Sequence, residues 1–186
     1  AAANRTATAI SKFGSALRGA ALLTLAQQIA EAFIKTADAI TMAESKLRLL
    51  DGSTAAAVKS MDQIYLAAQR SRAEYATFAG TVGKLGTLAG QAFGDTNEII
   101  GFVELMNKLY TVSGSSAQEM KASMYQLTQA LSAGRLNGDE LRSIMENAPM
   151  LAQAIAKNLG VSVGQMKKLA SEGMVTTKVV KDSLYG

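Results

Sequence analysis

The sequence predicts an all-α protein, one long N-terminal helix followed by a multi-helix unit of short capped helices. Three observations carry that prediction. Apolar residues recur at helical spacing, and no alternating strand pattern survives beyond the very short KLRLL at residues 46–50. Start and stop signals for helices recur through the second half of the chain. Finally, the 48% hydrophobic content comes from Leu, Ile, Val, Met and much Ala, with 5% aromatics and no Trp. Such a core suits helices packed at close distance better than stacked sheets.

Residues 1–50 read as the long helix, with no Pro in them. The start, AAANRTATAI, has no initiator Met and already looks helical, so the chain reads as an excerpt of a longer protein. From Ala26 the spacing tightens to heptads. Ala26, Phe33, Ile40 and Leu47 repeat every seven residues, with Ile29, Thr36, Ala43 and Leu50 in step and offset by three. That is the a/d pattern of a coiled coil, and Phe33, Ile40, Leu47, Ile29 and Leu50 are its candidate oligomer seam. Ala26, Thr36 and Ala43 bury little, so the same pattern also fits an amphipathic helix packed on its own domain. The DGS at residues 51–53 ends the pattern, and residues 51–186 form the second predicted unit.

The first short helix in that unit is STAAAVKSMDQIYLAAQRS, with Val58, Met61, Tyr65 and Ala68 on one face. Next, EYATFAGTVGKLGTLAGQAFG carries Gly80, Gly83, Gly86, Gly90 and Gly94 at steps of three and four. Each interior glycine costs a helix roughly 1 kcal/mol relative to alanine. A stripe of them pays off where another helix must approach closely. No Gly-Lys-Ser/Thr follows at the spacing of a phosphate loop, so no nucleotide site is expected.

Beyond Gly94 the punctuation is regular. Asp95 with Glu98, Ser116 with Glu119, Asn137 with Glu140, and Ser162 with Gln165 fit capping boxes or their Asx variant. Gly114, Gly134, Gly160 and Gly173 stand where left-handed C-caps belong. Leu136 with Leu141 and Val161 with Met166 fit hydrophobic staples, and Val175 with Val180 a looser one around Thr176. Pro149 fits the first turn of a helix, where its missing N–H is harmless. Short helices are marginal alone, so each depends on its caps and its packed face.

Charge and composition narrow the function classes. The chain has no His and no Cys, which removes the usual neutral-pH base, the commonest metal ligand and any thiol nucleophile. Asp139, Glu140 and Glu146 lie close in sequence, but acids in a first helical turn stabilise the helix dipole without any catalytic role. No catalytic residue, metal or cofactor is expected. Residues 1–90 carry 10 basic and 6 acidic side chains and residues 91–186 carry 9 of each, with no run of like charge. The longest uncharged run near the start, GAALLTLAQQIA, has twelve residues, against the about 20 needed to span a bilayer. Contact with a membrane surface stays open.

One binding motif competes with a purely structural reading. LGVSVGQMKKLASEGMVTTKVVKDSL pairs two short helices through a Gly-containing turn, as a helix-turn-helix does, with Lys167, Lys168, Lys178 and Lys181 available for phosphates. Its second helix, TTKVVKDS, lacks the Arg, Asn or Gln that reads bases. Sequence-specific nucleic-acid binding is therefore the alternative and not the main expectation.

The segments QLTQALSAG, LNGDELRSIMENAP and LGVSVGQMKKLASEG follow one another in order, after MDQIYLAAQRSRAEYATFAGTVGKLG. In this the chain resembles the tape-measure domain of tail tape measure proteins from long-tailed bacteriophages and prophages, from about Leu47 to Leu184. Leu136 to Gly173 is the most specific part. The resemblance implies a virion structural protein and tail-length determinant. It would be made in the host cytoplasm, fill the tail-tube lumen, and leave before DNA passes. Implied partners are the tail tube protein, tail-assembly chaperones and the tail-tip complex, with a homotrimer as the implied assembly. No catalytic residue is carried over.

Overall fold

The computed structural model describes residues 27, 28, 31, 32, 34–136 and 138–185. The chain divides into two compact units, residues 1–38 and residues 39–186. In the first, every described residue is helical and Ile34 is exposed. The predicted long helix lies mostly outside the described residues.

The second unit is all-α among its described residues. It opens with helical residues 39–51, here α1. There follow α2 (Thr54–Ser71), α3 (Tyr75–Ala89), a 3-10 turn (Gly90–Ala92), α4 (Thr96–Val112) and α5 (Ala117–Ala133). The shorter α6 (Gly138–Asn147), α7 (Pro149–Asn158), α8 (Val163–Ser171) and α9 (Thr177–Tyr185) complete it. KLRLL lies inside α1 and is no strand; its alternation is too short to compete with a helix whose Ala43 and Leu47 reach the core.

Helix α4 carries a large share of the buried side chains. It packs on α2, α3 and α9, and Phe102, Val103 and Met106 are fully buried along it. Phe93, just before it, meets Phe102 edge to face at 5.3 Å between centroids. In the second half α5 packs on α6, α6 on α7, and α7 on α8 and α9. Tyr110 is fully buried, donates to Ser123 Oγ at 2.7 Å, and so joins α4 to α5.

Of the α2 face read from the sequence, Ala68 is buried and Met61 packs against the core. Ala57, Ser60, Ile64, Ala67, Ala68 and Ser71 face inward, whereas Val58 and Tyr65 are half exposed. Small side chains let α2 lie close to α4, which larger Val and Tyr would prevent. Ser71 adds no unsatisfied group, because its hydroxyl donates to Ala67 O at 2.8 Å within the helix.

The glycine stripe of α3 faces α1. A Cβ on Gly86 would lie 2.3 Å from Leu50 Cδ1, and one on Gly83 3.3 Å from Lys46 Cβ. Gly80 is different, with nothing described within 4 Å of the Cβ it lacks. Gly80→Ala is therefore expected to stabilise the unit by up to about 1 kcal/mol through helix propensity alone. A urea denaturation midpoint checks this, and a lower midpoint would mean that Gly80 is packed in solution.

Candidate functional site

The chain has no His or Cys, and among the described residues no three or more Asp and Glu form a group fit for a metal. The candidate site is instead the set of joints that fixes how the short helices turn, together with the surfaces those joints present.

At two joints the N-cap and the residue three later bond reciprocally. Ser116 Oγ accepts from the Glu119 N–H at 3.3 Å, and the Glu119 carboxylate accepts from the Ser116 N–H at 2.8 Å. The Ser116 hydroxyl and N–H hold the Glu119 carboxyl below the usual range. Ser162 and Gln165 repeat the arrangement at 3.2 and 3.0 Å. At α4 the pattern shifts by one residue. Asp95 accepts from the Glu98 N–H at 2.8 Å, but Glu98 Oε2 accepts from Gly94 N–H at 2.6 Å, not from Asp95. Its other oxygen meets Lys181 Nζ at 2.5 Å. Burial works against the Glu98 charge, yet the Gly94 N–H and Lys181 hold its carboxyl below the ordinary value.

Asn137 lies outside the described residues. Its partner Glu140 sits in the first turn of α6 beside Asp139, where both acids meet the positive end of the helix. Leu136 and Leu141 are buried in the core. Met166 is fully buried and Val161 partly so, against the same core. Pro149 occupies the first turn of α7, and the Ser115 hydroxyl donates to Asn147 O just before it. Gly134 and Gly173, which end α5 and follow α8, have φ of 81° and 76°.

Of the seam positions, Leu47 is fully buried in its own unit's core, Leu50 lies against α3, and Ile40 is half-buried. Phe33 and Ile29 lie outside the described residues.

Three ties between distant segments have no local sequence signal. The first clasps the α5–α6 joint to the α8–α9 joint. Leu136 N–H donates to Val175 O at 2.8 Å and Thr177 N–H to Gly134 O at 3.0 Å, forming an isolated antiparallel bridge at Arg135 and Thr176. Second, Lys181 on α9 donates to Ala92 O at 2.6 Å and lies 4.9 Å over the Phe93 ring, besides its pairing with Glu98. Lys181 is thus committed to the fold, and Lys178 pairs with Asp182 at 2.6 Å. Lys167 and Lys168 are exposed.

The third tie is an ion cluster between α2 and α4. Glu104, 11% exposed in its side chain, takes a two-pronged contact from Arg70 at 3.0 and 2.7 Å and a third from Lys108 at 2.7 Å. The Arg70 guanidinium, aided by Lys108, holds the Glu104 carboxyl at about 2 although burial pushes it up. An unfolded Glu titrates near ~4.3, so the stabilisation is full above about pH 5. It is lost as pH falls towards 2, by on the order of 2 kcal/mol after screening of the exposed Arg70. Thermal melts should show this acid loss, and Glu104→Gln should flatten it. An unchanged acid profile in the variant would remove Glu104 as its source.

A surface concavity of about 580 Å³ lies between α6 and α8. Leu141 and Met145 line it together with Arg142, Glu146 and Lys167. Arg142 and Glu146 pair with each other at 2.9 Å and are largely exposed, an ordinary solvated ion pair. Such a cleft can seat a side chain or a helix edge, but it offers no buried acid or base.

The tape measure protein family model matches residues 31–186, most of the chain and all of the compact unit just described. No curated protein and no solved structure matches. None of the described helices is long and apolar enough to cross a membrane. With the match covering this jointed helical unit from end to end, the chain belongs to the tape measure protein family, structural components of bacteriophage tails that associate with other tail proteins.

Proposed function

We propose that this chain is the stretch of a tail ruler where a counting helix gives way to a folded docking unit. In this reading the parent protein lies in the tail-tube lumen, sets tube length during assembly and leaves before DNA ejection. Its partners are the tail tube protein, tail-assembly chaperones and the tail-tip complex, and it works as a homotrimer. The chain has no enzymatic part in it.

The observation that supports this is the fold of residues 39–186. A helix marks length at ~1.5 Å per residue only while it runs straight. Here the helices fold back at each capped joint, and the ties from Lys181 to Ala92 and from Thr177 to Gly134 close the unit on itself. Such a body cannot count residues one by one, but it can present surfaces. The helix-turn-helix alternative is weakened because one of its four lysines, Lys181, is committed to Glu98 and Ala92 within the fold.

Deleting one heptad, residues 31–37, from the parent gene tests the counting half. Tails should shorten uniformly by ~10 Å for that deletion. Unchanged tail length would exclude this stretch from the ruler. Nanomolar binding of one duplex sequence at physiological salt would instead promote the DNA-binding alternative.

A further inference from the structure

We infer that α1, residues 39–51, is a detachable strap that opens before the rest of its unit. The grip is thin. Ala43 and Leu47 are its buried residues, whereas Met42 and Leu49 are 60% and 84% exposed. Its landing surface is the glycine trough of α3, where Leu50 reaches over Gly86 and Lys46 over Gly83. Glycine has no side chain to interdigitate with, so withdrawal of the strap exposes little apolar area from the trough.

The polar anchor at the strap's end is also weak. Thr96 Oγ1 donates to Asp51 Oδ1 at 2.5 Å, but Asp51 Oδ2 is buried with no hydrogen-bond partner. A buried carboxylate oxygen without a partner disfavours the closed state, and opening returns it to water. Once off the body, α1 loses the packed face that supplies most of a helix's stability in a protein.

The body beneath has its own supports. Phe78, Val82, Leu85 and Ala89 of α3 are buried, and Arg70 and Glu104 bind α2 to α4 without α1. A pull on the preceding chain would then release the strap and leave the body closed. Unlike the ruler reading, this inference concerns the isolated unit and stands or falls without it.

Amide hydrogen exchange of the unmodified chain is the test. Amides of residues 43–50 should exchange at least about tenfold faster than those of Phe102 to Met106 under native conditions. Equal rates would overturn the strap, because α1 and α4 would then open as one unit. A cross-link gives a second arm. The chain has no cysteine, and the Cβ positions of residues 46 and 83 are 3.3 Å apart, close to the ~3.5–4.5 Å of a disulfide. In Lys46→Cys/Gly83→Cys, oxidation with oxidised glutathione should slow exchange of residues 43–50 to the rate of α4. No slowing in the cross-linked protein would equally contradict strap opening as the cause.

Discussion

Phe102→Ala is expected to cost the unit about 3–5 kcal/mol, the range for removing a fully buried Phe. Phe102 sits on α4, the helix in contact with α2, α3 and α9, and is 0% exposed. The cavity cannot close cheaply. Its edge-to-face partner Phe93 is held by the turn before α4, and Lys181 lies over that Phe93 ring. A domain of this size has roughly 5–15 kcal/mol of stability, so the variant should be largely destabilised and open at modest denaturant. Urea unfolding followed by circular dichroism gives the loss as a lower midpoint. A cost below about 1 kcal/mol would mean that Phe102 is not packed in the core in solution.

The joints were legible in the sequence because their chemistry is local. Ser116 with Glu119 and Ser162 with Gln165 act across three residues, so residue type and spacing are enough to recognise them. Gly134 and Gly173 are recognisable for the same reason, since an αL turn at a helix end favours the residue without a Cβ. The glycines at 83 and 86 announced a close neighbour, but nothing in α3 itself says that Leu50 and Lys46 provide it.

Packing partners across the chain were not legible. Arg70 and Glu104 are 34 residues apart, and Lys181 and Ala92 are 89 apart. No periodicity links such pairs, and Lys181 read as a free cation until the fold brought Glu98 beside it. Helix α2 misled for another reason. Apolarity grouped Val58 and Tyr65 with Met61 and Ala68 on one face, but Ala57, Ser60 and Ala67 are buried in their place. At Glu98 the cap was recognisable and its acceptor bond was not, because Gly94 N–H competes with that of Asp95. The candidate docking cleft had no sequence signature either, because α6 and α8 supply its walls from separate motifs.

The central claim, that the unit is a folded body in the tail and not a length of stretched ruler, has a direct test. Deleting residues 138–173 from the parent gene removes Leu141, Ile144, Leu151, Ile155 and Met166, all from the core. It also removes the segment between the two halves of the clasp formed by Leu136 with Val175. Helices α5 and α9 lose α6 and α7, against which they pack. Tail lengths measured by electron microscopy should then show no completed tails, or tails of irregular length. Uniform, viable tails shortened by ~50 Å, the helical rise of the deleted residues, would contradict the account and show that this region is stretched in the tail.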